Sequence, residues 1–587
     1  MASDASLKLH DDSRIGVIGG GPAGAFFSYF LLEMVQAVGL RVHLDLYEPR
    51  DFSEPGPRGC NMCGGVVSES LVQSLEGEGI HLGPDVIQRS IDSYFLHMDG
   101  CRVQIATPLQ EKRLATVHRG GGPRGIKANI RGGLDGYLLQ RAIQQGAHWI
   151  RARVDKFDWD DGRPHLRTQS DQQSTYDLVV VAVGVNAPTL KLFESAGIPY
   201  RGPRTTKTCL CEFCFSRDLI RRNLGNSVHV FLLNIPRLEF AALIPKGDYV
   251  TLCMLGADID RELVRAFIDR REVREVLPPD WQPPDDFCFC SPKISLSSAI
   301  RPFSNRIVFV GDCGTTRLYK DGIGAAYRTA KAAAGTVVFH GFTTEAFQQH
   351  YWPICQKIRN DNVLGKTLFA VTRQIQRHRF ARRGLWRMVC KEQGRALGPT
   401  RMSTVLWDTF TGSAPYGSVL LRTFHPAFLG RFAREMLFPV HHVWLQKKRE
   451  DVMKSSSLGG VYHDGEVICR QGELGECMYV IQEGEVEVTR RESDKEFCLG
   501  ILKAGDFWGE AGLLDREHVR TMTARAIGDV CVLSIEKRTF LTHIREDPLF
   551  AIKIMRRMSR RIQELESTLV RTVDPAFKGS AVNPSNK

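Results

Sequence analysis

No apolar run in this 587-residue chain approaches the ~18 residues needed to cross a bilayer, so a spanning helix is not expected. A secretory leader is not expected either. Met1 to Asp12 is polar and carries acids, which predicts a cytoplasmic protein. The 16 cysteines are scattered rather than framed as in a small secreted scaffold, and they read as reduced thiols. Cys209, Cys211 and Cys214, and Cys288 with Cys290, fall at short spacings on apparent strands. There they share a face as small core residues, and no metal site is expected.

Excess charge is confined to one place. The chain carries a net +12, and residues 341–450 alone hold 18 Lys/Arg against 6 Asp/Glu. The remainder is neutral. With no helix-turn-helix pattern beside that segment, nucleic acid is not an expected partner. Three readings of the segment stay open. It is a solvated Arg-rich surface, or an amphipathic patch on an anionic membrane with Phe369, Phe380 and Trp386 at the interface, or a set of phosphate contacts for a lipid-like substrate. The second reading would make the protein peripheral on the inner face of a membrane.

What is present organises the rest. At this length two to four domains are expected. Arg14 to Ile18 reads as a buried strand, followed by Gly19-Gly20-Gly21-Pro22-Ala23-Gly24 and a helix. A second strand, Val42 to Tyr47, ends at Glu48. Gly19 allows a tight turn and Gly21 lets backbone N–H groups approach a pyrophosphate. Gly24 lets the helix pack closely, and Glu48 is placed for a ribose. Later, Asp177 to Gly184 is a continuous apolar strand of a buried parallel sheet. Arg306 to Val310 is another, followed by Gly311-Asp312, then Gly322 and Gly324 opening an Ala-rich helix.

This second element resembles the second flavin fingerprint of the p-hydroxybenzoate-hydroxylase-like flavoproteins. The resemblance implies FAD, with Asp312 on the ribityl chain and the helix start facing the ring. Arg131, with Asp135, Leu138, Leu139 and Ala142, resembles the family's arginine-bearing helix. Within the superfamily, Cys60-Asn61-Met62-Cys63-Gly64-Gly65 and Ala242 to Asp248 resemble the geranylgeranyl-reductase-like branch, as does Trp407 to Tyr416. That branch implies reduction of isolated isoprenoid double bonds, with Cys60 and Cys63 as candidate catalytic groups beside the ring. Phe240 and Ala242 stand where the branch carries Tyr and Trp. The proline after the ribityl aspartate is replaced near Tyr319-Lys320, and Val183-Gly184 replaces an Asp-Gly pair. The electron donor, NAD(P)H or another, is left open.

A different cassette lies near the end. Gly465-Glu466, Gln471 to Glu473, Met478 to Ile481 and Gly484 resemble the β-roll of cyclic-nucleotide-binding domains. Gly509-Glu510 followed by Arg520-Thr521 resembles the phosphate-binding cassette. A carboxylate at Glu510 would accept the ribose 2′-OH, and the Arg520 fork would take two phosphate oxygens, with Thr521 adding a hydroxyl. Leu565 and Glu566 stand where relatives contact the base, and cAMP and cGMP both remain candidates.

The expected architecture is an α/β Rossmann-type FAD domain over 14–340 with an antiparallel-sheet substrate domain inserted at about 200–295. A basic helical region at 341–450 follows. A cyclic-nucleotide-binding domain with a β-roll and flanking helices covers 451–570, and a flexible tail 571–587. The expected activity is that of an FAD-dependent oxidoreductase acting on CH–CH bonds of a lipid-like substrate under cyclic-nucleotide control. A flavin monooxygenase and a non-catalytic redox sensor remain as alternatives.

Overall fold

The computed structural model describes residues 7–56, 63–107, 114–123, 133–394, 401–437, 458–492, 495–514 and 519–546, with further positions between 551 and 566. The expected tail at 571–587 lies outside them. The chain forms two compact units. One comprises residues 1–72 with 82–460, the other residues 73–81 with 461–587.

In the first unit, the strand Ser13–Ile18 runs parallel between Val42–Tyr47 and Leu178–Val181. Ile307–Phe309 adds in parallel beyond Leu178–Val181, and His148–Ile150 beyond Val42–Tyr47. Leu178–Val181 is buried at every position, as a strand covered on both faces must be. The helix Pro22–Val38 lies on this sheet with Pro at its first turn, where a missing N–H costs nothing. Its Phe26 and Phe30 meet Tyr327 of the helix Gly322–Phe339 edge to face, at centroid separations of 5.5 and 5.4 Å. A small antiparallel sheet of Val154–Asp160, Arg163–Thr168 and Gln173–Thr175 precedes the strand Leu178–Val181.

The second sheet of this unit differs from the sequence expectation. Thr205–Cys214, Tyr249–Gly256, Leu238–Lys246 and Ser227–Phe231 do pair antiparallel in that order. The sheet then continues into Ser93–Met98 and Cys101–Ala106, and Ser93–Met98 runs parallel to Ser227–Phe231. The insertion is therefore neither wholly antiparallel nor confined to 200–295. The hairpin at 93–106 completes the sheet across more than a hundred residues of chain, a pairing that no local pattern announces.

The helices Trp352–Arg377, Arg379–Gln393, Arg401–Thr411, Tyr416–Thr423 and Pro426–Leu437 lie against this sheet. Tyr94, Leu96, Val228 and Val230 share one core with Leu385, Trp407, Phe410 and Tyr416. The basic segment thus covers the sheet through its apolar faces. Several of its cations are held in ion pairs: Arg382 with Asp99 at 2.7 Å, Arg373 with Glu239 at 2.8 Å and Lys391 with Glu435 at 2.7 Å. Of the three aromatics expected at a membrane interface, Phe369 turns inward onto Tyr319 and Tyr416. Trp386 donates its indole N–H to the Arg102 carbonyl at 3.2 Å, and Phe380 is exposed. Among the described residues, no helix is long and apolar enough to cross a membrane.

The second unit is built on two long antiparallel strands, Cys477–Glu492 and Thr523–Glu536, flanked by Lys495–Lys503 and Gly460–Tyr462. Ile481, Val486, Val488, Trp508 and Val532 fill its interior. The helix Lys537–Glu546 follows and packs Phe540 beneath Met478 and Ile535.

Trp407 is fully buried, edge-on to Tyr94 at 5.5 Å, with its indole N–H on Glu69 at 3.0 Å. Trp407→Ala is expected to destabilise the first unit by about 3–5 kcal/mol, read as a lower urea midpoint for that unit's transition and an unchanged one for the other.

Candidate functional site

In the first unit the glycine bend is dictated by contact. Gly19 has φ +106, and a Cβ there would meet the Ala182 carbonyl at 2.7 Å. A Cβ on Gly24 would lie 1.8 Å from the Gly19 carbonyl oxygen, so only glycine lets the helix begin this close to the strand. At Gly311, with φ +69, a Cβ would fall 2.7 Å from that of Ala23. A Cβ on Gly324 would strike the Asp321 carboxylate at 2.2 Å. These glycines serve the fold. Gly21 is different: it has ordinary extended backbone, and a Cβ there meets nothing nearer than 3.9 Å. Among the described residues nothing requires a glycine there, whereas a phosphate approaching the backbone would. Gly322 is likewise open, with its nearest contact at 3.7 Å.

Both face a cavity of about 630 Å³. The cavity brings together Gly19, Gly21, Pro22, Ala23, Glu48, Cys63, Asp312 and Gly322. One end is walled by Tyr47, Glu48, Arg153 and Val154 beside the glycine bend. The other reaches the second sheet at Val230, Phe240, Ala242, Ile244 and Cys253, and the helices at Phe369 and Phe410. A polar cradle therefore opens directly into an apolar chamber. Cys60 and Arg131 lie outside the described residues. Gly24, Gly311 and Gly324 support the walls from behind.

Glu48 accepts from the Gly20 N–H at 3.0 Å and from the Arg50 backbone and Nε, both at 3.0 Å. The Arg50 side chain is 42% exposed. Asp312 lines the cavity wall and is open to the cavity, and its depth in the molecule pushes its carboxyl above the usual range, against the hydroxyl of Thr316 and the charge of Arg119. Cys63 lines the wall and accepts the Gly65 N–H at 3.4 Å. Gly65 needs its φ of +64, because a Cβ would fall 2.1 Å from the Val117 carbonyl.

Arg119 was not singled out from the sequence. It lines the cavity 4.0 Å from the position a Gly21 Cβ would take and pairs bidentately with buried Asp135, one bond being 2.9 Å. Burial works against its charge, and Asp135 outweighs burial, so the guanidinium is held firmly protonated. Among the described residues, Arg119 is therefore a fixed cation in the cavity wall beside the Gly21 backbone. The signal available was Asp135, which the sequence pattern places on this helix beside Arg131, a residue outside the described ones.

Arg119, the Gly21 backbone, Glu48 and Asp312 suit the pyrophosphate, ribose and polyol parts of a flavin dinucleotide. The apolar chamber beyond leaves room for a ring system and a nonpolar substrate.

In the second unit, Arg520 is 5% exposed. Its guanidinium lies against the Tyr479 ring at 5.0 Å, near Cys477 Sγ at 3.5 Å, and donates to the Gly509 carbonyl at 3.4 Å. It has no ion pair to a carboxylate among the described residues. A Cβ on Gly509, at φ +89, would fall 2.3 Å from Arg520 Nη1, so the glycine keeps the arginine's place. A buried guanidinium without an acid is costly unless an anion arrives. Glu510 opens the short helix Glu510–Leu514 beside it, while Thr521 is exposed. Of the two base-contact candidates, Leu565 lies outside the described residues and Glu566 is exposed.

Comparison with known proteins bears on this second unit first. Residues 460–547 match the family described as "Cyclic nucleotide-binding domain". The cyclic AMP receptor protein of Thermus thermophilus is 33% identical over 110 residues, 19% of this chain and 50% of that protein. The cGMP-dependent protein kinase egl-4 of Caenorhabditis briggsae is 45% identical over 82 residues, 14% of this chain and 11% of that protein. The chain thus spans about half the length, or less, of the curated relatives it matches. Among solved structures, a flavoprotein/dehydrogenase from Cytophaga hutchinsonii is similar over 73% of this chain and 99% of that one, with TM-score 0.49 and 13% identity. The p-nitrophenol 4-monooxygenase of Pseudomonas putida gives TM-score 0.48 and 14% identity over 69% of this chain and 99% of that one. At these scores the likeness lends nothing to the chemistry, which rests on the residues described above.

Gly24→Val would drive a side chain into the Gly19 carbonyl. It is expected to cost about 1–3 kcal/mol or more and to abolish retention of FAD through gel filtration, while a titration of cyclic nucleotide binding stays at its wild-type value.

Proposed function

We propose that this chain is an FAD-dependent oxidoreductase that reduces double bonds of an isoprenoid or other lipid-like substrate, and that a cyclic nucleotide, cAMP or cGMP, regulates it. The observation that carries the reading is the single cavity running from the glycine bend to an apolar chamber between sheet and helices. A bound flavin would supply two-electron chemistry at its ring. The protein's own part is to hold and exclude. Arg119 and the Gly21 backbone would seat the pyrophosphate, Glu48 the ribose and Asp312 the ribityl chain. Val230, Phe240, Ile244 and Phe410 would keep water from the reacting carbons. Cys63 stands in the cavity wall, where its thiol would face the ring. NAD(P)H or another donor would supply the electrons.

For the second unit, Arg520 would pair with the cyclic phosphate, Glu510 with the ribose 2′-OH and Thr521 with a phosphate oxygen. Regulation means that the ligand alters the equilibrium between active and inactive forms, which requires different affinities for the two.

Anaerobic incubation of the FAD-loaded protein with a chemical reductant and a polyprenyl substrate, followed by mass spectrometry, is expected to show products heavier by two hydrogens, with the rate changed by cAMP or cGMP. An oxygen-dependent gain of 16 mass units would instead establish a monooxygenase. Arg520→Ala is expected to weaken nucleotide affinity about 100-fold or more, measured by calorimetry, and to remove the nucleotide's effect on rate without changing the rate in its absence.

A further inference from the structure

The segment joining Ile307–Phe309 to the helix Gly322–Phe339 carries a lysine where the resembling family has a proline-bearing turn. The backbone on both sides of Lys320 is in the left-handed region, with φ +62 at Tyr319 and +54 at Asp321. Neither residue is glycine, so the turn is strained and must be fastened. It is fastened heavily. Asn362 accepts the Leu318 N–H and donates to the Thr316 carbonyl, both at 2.9 Å, and the Tyr416 hydroxyl donates to the Leu318 carbonyl. Arg317 donates to the carbonyls of Gly412 and Ala414. Asp321 is held by Ser68 at 2.7 Å and Arg328 at 3.0 Å. All this holds Lys320 in the cavity wall, with Tyr319 and Asp321 on either side of it.

There the ammonium lies 4.0 Å from the centre of the Phe240 ring. It has no hydrogen-bond or ion-pair partner for its Nζ among the described residues. The charged neighbours are already engaged: Asp321 with Arg328 and Ser68, and Glu239 with Arg373. Facing it from the strand Tyr249–Gly256 is Cys253, whose thiol burial pushes up to about 11, so it stays neutral. Tyr319 beside it is likewise kept protonated by burial. Burial in this apolar wall pushes Lys320 itself down to about 8. A lone ammonium among Phe240, Val230, Phe369 and Cys253 is expensive until an anion meets it.

We propose that Lys320 binds the carboxylate of the substrate, which makes the chamber a site for an apolar chain bearing a single acidic head group. The inference rests on the reading that this chamber takes the substrate. One unpartnered cation matches a monoanion. A phosphate or diphosphate head would bring a second charge, whereas the described cations on the elements around Lys320, Arg317 and Arg373, already answer Asp361 and Glu239, and a phenol, with a pKa near ~10, would stay neutral. A lipid-like acid sets its tail along the apolar sheet face and its head on Lys320. The cost of the half-buried ammonium, recovered on pairing, then becomes selectivity for acids over alcohols of the same shape.

The test is calorimetric titration of the FAD-loaded protein with farnesoic acid and with farnesol, for wild type, Lys320→Met and Lys320→Arg. Wild type is expected to prefer the acid by about tenfold or more at pH 7. Lys320→Met should lose that preference while binding the alcohol as before, and Lys320→Arg should keep it. Above about pH 8 the acid's affinity for wild type should fall towards tenfold per pH unit as the lysine loses its proton, and with Lys320→Arg it should not. The flavin absorbance retained by each variant shows that the fold is intact. Equal affinity for acid and alcohol in wild type, or a preference surviving in Lys320→Met, overturns the role of Lys320 and leaves the apolar-substrate reading standing. Binding of neither probe by flavin-loaded wild type overturns both.

Discussion

The approach of the helix Pro22–Val38 to the strand Ser13–Ile18 governs the first unit. A Cβ on Gly24 would lie 1.8 Å from the Gly19 carbonyl, which leaves no tolerance for any other residue. Because the helix starts so near the strand end, Pro22 and Ala23 of its first turn line the cavity. The Gly21 backbone is then bare on the side where Arg119 stands. The helix Gly322–Phe339 packs on the same helix through Tyr327, Phe26 and Phe30, which brings Asp312 and Gly322 to the same cavity. Remove that contact and the glycine bend, Asp312 and the strained turn at Lys320 lose their common frame.

The division of labour between the two sheets follows from their burial. The parallel sheet, covered on both faces, presents strand ends and backbone groups, which suit a charged dinucleotide. The second sheet presents side chains of alternating orientation, and its cavity-facing set is almost wholly apolar. The helices of the basic segment close that side. Their arginines balance acids of the sheet hairpins, at Asp99 and Glu239, so part of the segment's excess charge is structural. In the second unit the same principle appears on a smaller scale, where a glycine of positive φ keeps the place of a buried guanidinium.

What could be read from the sequence was local. The glycine bend, Glu48 at the end of the second strand, Gly311-Asp312 and the Gly509-to-Arg520 cassette are short segments whose spacing encodes their geometry. What could not be read depended on distant contacts. The hairpin Ser93–Met98 and Cys101–Ala106 joins a sheet otherwise built from residues beyond 200, and pairs in parallel with its neighbour. Phe369 and Trp386 fit an amphipathic surface pattern, yet Phe369 faces the chamber because the sheet supplies an apolar face for it. Arg119 sits next to three glycines with no motif of its own, and only the position of Asp135 after folding gives it a role. Lys320 registered merely as a missing proline. Its meaning comes from the ring of Phe240 and from the bonds that hold its strained neighbours.

The most direct measurement of the central claim is a fluorescence titration of the refolded, ligand-free protein with FAD. One equivalent should bind and quench the flavin emission to a sharp end point, and FMN, which lacks the adenosine and the second phosphate, should bind far more weakly. Saturation at one equivalent by FAD with that discrimination is the predicted result. Failure of FAD to bind, or equal binding of FAD and FMN, would contradict the assignment of the glycine bend and Arg119 to a dinucleotide.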